Sequence, residues 1–186
     1  ATCSGGGYGG TVTIGGTGGA NIAGDIDVGS GGEGATSGDI MIAVAGAMAV
    51  AGALEANGNN GGSGGTINLG SESGAATFTG TLNASGGGDE ADGGTIEVVA
   101  ESISMQGVWS ANSGPAAFFE GTVSLSATNG GVSMTATSAI NATGSGGGYG
   151  GSVTISGTGN VGIGGNIDVS TAGAGSVGGT IEISAG

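Results

Sequence analysis

The sequence predicts a right-handed parallel β-helix, an all-β solenoid with coils of about 28 residues. Three observations predict it. A strand-like phrase returns along the whole chain, aliphatic residues fill alternate positions of that phrase, and a Gly-rich arc separates each unit from the next.

The first phrase reads Thr11-Val-Thr-Ile, Asp39-Ile-Met-Ile, Thr66-Ile-Asn-Leu, Thr95-Ile-Glu-Val, Thr122-Val-Ser-Leu, Ser152-Val-Thr-Ile and Thr180-Ile-Glu-Ile. Its second and fourth positions are β-branched or Leu, and its first and third are mostly polar. Period two marks a strand with one buried face. Starts fall roughly 27 to 30 residues apart, within the range of solenoid units. The reading is one solenoid domain over 1–186, with coils starting near 11, 39, 66, 95, 122, 152 and 180, six full and one partial.

A second phrase follows the first, as in Ile22-Ala-Gly-Asp-Ile26-Asp-Val28, Phe78-Thr-Gly-Thr-Leu82-Asn-Ala84 and Ile163-Gly-Gly-Asn-Ile167-Asp-Val169. Its Gly is read as the point where the strand bends round a corner. Arcs such as Ser85-Gly-Gly-Gly-Asp-Glu-Ala-Asp-Gly-Gly94 supply positive φ and tight turns. Stacking coils about 4.8 Å apart brings like residues into columns and gives a rod about 30 Å long. The expected columns are Val12-Ile40-Ile67-Ile96-Val123-Val153-Ile181, Ile14-Ile42-Leu69-Val98-Leu125-Ile155-Ile183, Ile22-Val50-Phe78-Met105-Met134-Ile163 and Ile26-Leu54-Leu82-Trp109-Ile140-Ile167. A longer period sits above the coil: 1–45 resembles 142–186, a five-coil super-repeat, so the sequence is expected to sample a longer array.

Composition restricts function. The chain has 51 Gly, 14 Asp plus Glu, and no Lys, Arg or His, for a net charge of −14. Ser and Cys nucleophiles lack the His or Lys that activates them, which leaves a paired-carboxylate glycosidase or a metal site of oxygen ligands alone; the carboxylates are scattered, and no enzyme is expected. Nucleic acid binding needs cations that the chain does not have. No membrane insertion is expected either, because residues 45–54 are greasy but too short to span a bilayer. Cys3 is alone and forms no internal disulfide; a buried thiol and an intermolecular cross-link both stand as readings.

The phrases Gly-Gly-Ser152-Val-Thr-Ile, Gly-Asn166-Ile-Asp-Val-Ser and Gly-Gly-Thr180-Ile-Glu-Ile-Ser-Ala resemble filamentous-haemagglutinin-type repeats of large secreted bacterial exoproteins and autotransporter-like surface proteins. The resemblance covers essentially the whole chain at the level of a degenerate repeat. It implies a right-handed parallel β-helix, export to the cell surface, and a role in adhesion, filaments or biofilm matrix.

Several side chains are candidates for binding. Glu72 and Glu101 are expected to share a position on neighbouring coils, as are Asp27 and Glu55, and Asp89, Glu90 and Asp92 crowd one arc. Stacked like charges repel, and no cation of the chain relieves them. Ca2+ could, through carboxylate oxygens, so Glu72, Glu101, Asp89, Glu90 and Asp92 are candidate ligands; solvated charge that keeps the rod soluble is the plainer reading. Asn83 and Asn141, both in glycosylation sequons, are expected in one column and to form an amide ladder. Tyr8 and Tyr149 recur in equivalent arcs as exposed contact residues. Trp109, Phe118 and Phe119 read as a locally thicker core under a covered loop rather than a ligand groove.

The expected function is an extracellular structural or adhesive repeat protein whose main partner is itself, in fibres, with surface glycans a further possible partner. A polysaccharide-binding or polysaccharide-cleaving β-helix is the first alternative. Its weakness is that the carboxylates scatter and the basic helpers are missing. An ice-binding solenoid is the second, since Thr11-Val-Thr13 exposes two hydroxyls, but Asp39-Ile-Met41 breaks that array.

Overall fold

Each coil of the computed structural model, which describes residues 7–32, 34–146 and 148–186, places short strands on three faces of one interior. The first coil holds β1 (Thr11–Gly16), β2 (Ala20–Ile22) and β3 (Ile26–Asp27). The second holds β4 (Asp39–Val44), β5 (Met48–Val50) and β6 (Leu54–Glu55), and the third β7 (Thr66–Ser71), β8 (Ala75–Phe78) and β9 (Leu82–Asn83). Then come β10 (Thr95–Ala100), β11 (Ser102–Met105) and β12 (Val108–Ser110), followed by β13 (Thr122–Ala127), β14 (Val132–Met134), β15 (Ala139–Asn141) and β16 (Gly144–Ser145). The sixth coil holds β17 (Ser152–Gly157), β18 (Val161–Ile163), β19 (Asn166–Asp168) and β20 (Thr171–Ala172), and β21 (Thr180–Ala185) starts a seventh.

Every pairing between these strands is parallel and joins neighbouring coils; one isolated antiparallel bridge, Gly62 with Gly87, lies between two arcs. One seven-stranded sheet runs β1-β4-β7-β10-β13-β17-β21. A six-stranded sheet collects β2 to β18 and another collects β3 to β19, with β16 and β20 as a short fourth pair. The chain is therefore a parallel β-solenoid of about six turns, as the spacing predicts.

All four expected columns are present in register. Val12 faces Ile40, Ile40 faces Ile67, and the series continues through Ile96, Val123 and Val153 to Ile181. The third column runs unbroken from Ile22 to Ile163 and the fourth from Ile26 to Ile167. In the middle coils these side chains are fully buried, and burying each contributes about 1.5–3 kcal/mol. Trp109 and Phe78 make the thickest layer, meeting edge to face at 5.1 Å. Two further buried columns escaped the sequence reading: Met48-Ala76-Ile103-Val132, and the small residues Ala56, Ala84, Ala111 and Ala142 that end the second phrase.

Those small residues explain the glycines before each strand. The coil closes where the backbone after its last strand meets the backbone before the next first strand. Gly65 donates to the Ala56 carbonyl at 2.7 Å, Gly94 to Ala84 at 2.7 Å, and Gly151 to Ala142 at 2.8 Å. A Cβ at Gly94, Gly121 or Gly151 would sit on the carbonyl of the coil beside it or of its own far wall. The corner Gly of the second phrase has the same cause. A Cβ at Gly52, Gly80 or Gly107 would overlap the carbonyl of Gly24, Gly52 or Gly80 respectively. All three lie at bends between a second-face strand and a third-face strand, the corner the sequence predicts. None has positive φ, so glycine is required there because the coil-to-coil distance leaves no room for a side chain. Positive φ is confined to the arcs, at Gly34, Gly61, Gly88 and Gly146, among others.

Candidate functional surface

The outward column of the third face carries the most functional groups. It runs Asp27-Glu55-Asn83-Ser110-Asn141-Asp168. Asp27 and Glu55 are neighbours, as expected. Asn83 and Asn141 share the column, but Ser110 stands between them, so the expected amide ladder does not form. Asn83 instead donates from Nδ2 to Glu55 Oε2 at 3.0 Å.

This position also ends the strand. Asp27 Oδ1 accepts the Gly29 N–H at 2.8 Å, Asn83 Oδ1 that of Ser85 at 3.2 Å, and Asp168 Oδ1 that of Ser170 at 2.9 Å. Side-chain oxygens of Asp and Asn turn the backbone two residues on, which is why these residue types recur where each strand gives way to its arc.

Amide-to-carboxylate bonding between coils is the device the sequence reading missed. Besides Asn83 and Glu55, Asn68 donates to Glu97 Oε2 at 3.1 Å and Asn129 to Glu101 Oε1 at 3.1 Å. A chain without cations thus stabilises part of its charge with amide dipoles, and a hydrogen bond to a charged group contributes about 1.5–3 kcal/mol when shielded, less when exposed. The signal was available: each Asn sits one coil away from its Glu.

Glu55 titrates above its ordinary 4.5, first because burial disfavours its charge and then because Asp27 and Asp25 add negative potential; the Asn83 amide opposes both. Such an acid holds its proton more tightly folded than unfolded, so stability rises as pH falls through the folded pKa. Glu55→Gln is expected to raise the melting temperature at neutral pH, with the gain vanishing well below 4.5. Thermal unfolding across pH measures it. Asp168 has the opposite sign: Ser170 hydrogen bonds lower its pKa, so its contribution is present at neutral pH and lost on acidification.

The five candidate ligands divide into separate places. The register between β7 and β10 runs to Gly70 facing Val99, and Glu101 then donates its N–H to Gly74. Three residues connect β7 to β8 but one connects β10 to β11, so Glu72 and Glu101 are not register partners, and that expectation is corrected. In the arc, Asp89 and Glu90 line an open cleft of about 880 Å³ with Asn60, Gly61, Ser63 and Gly88. Asp92 points elsewhere, its Oδ1 accepting the N–H groups of Phe118 and Phe119 at 2.9 and 2.8 Å. A smaller cleft of about 220 Å³ joins Asp27, Glu55, Ser30, Asn57 and Asn59. Among the described residues, no three acidic, Cys or His side chains converge as a metal centre. Cys3 lies outside the described residues.

Phe118 and Phe119 do not cover a loop. They are 76% and 69% exposed, because the Asp92 carboxylate holds their backbone and Ala116 takes a positive φ that turns the segment outward. The other half of that expectation holds, since Trp109 is fully buried. Tyr8 and Tyr149 are exposed on their arcs. Set against known protein families, characterised proteins and solved structures, the chain finds no match.

Proposed function

We propose that this chain is a module of an extracellular structural or adhesive fibre, of the kind that filamentous-haemagglutinin-type repeats build at bacterial surfaces. One observation carries the reading. β17, whose sequence repeats that of β1, stacks on β13 through Val123-Val153 and Leu125-Ile155, while its other edge carries β21. The coil-1 sequence is therefore compatible with a coil on either side, and a stack of such units can extend without a change of core chemistry. Outward side chains are mostly small, so rods can approach one another, and the charge of −14 opposes lateral clumping until acid or Ca2+ neutralises it. Absence of Lys and Arg removes every trypsin site, which suits a protein outside the cell. Negative-stain microscopy with Ca2+ and with chelator is the test. Fibres are expected, thicker with Ca2+; dispersed short particles in both conditions overturn the reading.

A second reading has its own observation. Phe118, Phe119 and Tyr149 offer exposed rings on the arc face, beside Glu120 and Val177. Rings with acidic neighbours and no cation suit a neutral polysaccharide better than an acidic one. Dispersed particles retained on insoluble neutral polysaccharide would move the conclusion to this reading.

A further inference from the structure

We propose that Asn129 is a site of spontaneous covalent modification, converting to aspartate and isoaspartate in the folded protein while the other Asn-Gly pairs are held inert. The chain has three such pairs, Asn57-Gly58, Asn60-Gly61 and Asn129-Gly130. Glycine lacks the Cβ that would hinder ring closure, so each pair has the same intrinsic chemistry.

The reaction needs no catalytic base from the chain, only water or hydroxide. The Gly nitrogen loses its proton and attacks the Asn Cγ. The N–Cγ bond forms, the Cγ–Nδ2 bond breaks, and ammonia leaves. Water then opens the succinimide at either carbonyl, giving aspartate or isoaspartate. No electrons are transferred, one water is consumed and one ammonia released.

What separates the three pairs is the attacking nitrogen. Gly58 donates its N–H to Ser85 at 2.8 Å, and Gly61 donates to Gly87, both inside the ladder between coils. Neither can be deprotonated or swing toward Cγ until that ladder opens locally. Gly130 sits in the turn between β13 and β14, and among the described residues its N–H has no hydrogen-bond acceptor. Asn129 itself is exposed. Its amide donates to Glu101 Oε1 across the coil boundary. Conversion therefore replaces a donor with a carboxylate facing Glu101, in a chain with no cation to relieve the pair. One negative charge is added at a corner of the solenoid, and a bond between coils becomes a repulsion.

The folded chain is incubated at mildly alkaline pH and 37 °C, beside a sample in concentrated denaturant, and each site is read by tandem mass spectrometry after Glu-specific cleavage. In the folded sample Asn129 is expected to convert about ten-fold or more faster than Asn57 and Asn60, since those two require local opening first. In denaturant the three rates should converge. Equal rates in the folded chain, or Asn57 or Asn60 reacting first, would overturn the proposal. So would an Asn129 that stays intact while the denatured sample reacts.

Discussion

Gly121→Ala is expected to lower stability by about 3 kcal/mol or more, at the upper end of overpacking costs, because no rotamer relieves a Cβ clash with backbone. The added methyl would overlap the Ala111 carbonyl and crowd the Ala111 side chain, both buried in the wall where the coil closes. The only relief is to move the strand starting at Thr122, which breaks its ladder with Ser152 and Thr95. In a solenoid each coil is stabilised by its neighbours, so a defect here also uncouples the stack on either side. Gly162→Ala is the matched control. It lies in β18 with nothing within 4 Å of its Cβ direction, and reduced freedom in the unfolded chain should leave it neutral or more stable by about 0.4–1 kcal/mol. Denaturant titration followed by far-UV circular dichroism measures both. Should the two variants unfold together, close approach is not what places glycine before each strand.

The two glycines differ in a way the sequence does not display. Gly121 directly precedes a strand and Gly162 lies within one, yet the first is locked against backbone and the second faces open space. Alternation was legible because a parallel stack puts the same position of every coil on the same face, so Val12, Ile40 and Ile67 announce themselves as a column. Corner length was not. The single residue between β10 and β11 moves Glu101 off Glu72, and counting along repeated phrases hides that shift. The loop bearing Phe118 and Phe119 was misjudged for a related reason. Two aromatics in a row suggest burial on hydropathy alone, but their direction is set by hydrogen bonds from their backbone to Asp92, far away in sequence. The amide-to-carboxylate pairs lay between these cases. Column membership was readable, and reading Glu97 against Asn68 needed only the register of the first face.

That register also sets what the core tolerates at its widest layer, where Trp109→Ala is expected to cost about 3–5 kcal/mol. The indole is fully buried between Leu82 below and Ile140 above, with its ring edge to face against Phe78 at 86°. Coils held by a continuous backbone ladder cannot collapse into the hole, so most of the cavity remains. Trp109→Phe separates volume from polarity. It keeps an aromatic ring beside Phe78 and removes Nε1–H, a buried donor with no hydrogen-bond partner among the described residues. Leaving such a donor unsatisfied costs about 1–3 kcal/mol, and losing it offsets the lost volume. The phenylalanine variant is therefore expected within about 1.5 kcal/mol of the parent, as for other swaps that nearly conserve shape. Because Trp109 is the only tryptophan, both variants must be followed by circular dichroism, while in the parent its emission reports opening of this layer. If Phe proves as damaging as Ala, the indole N–H is satisfied in solution by a partner such as a trapped water, and the interior at this coil is wetter than its aliphatic columns imply.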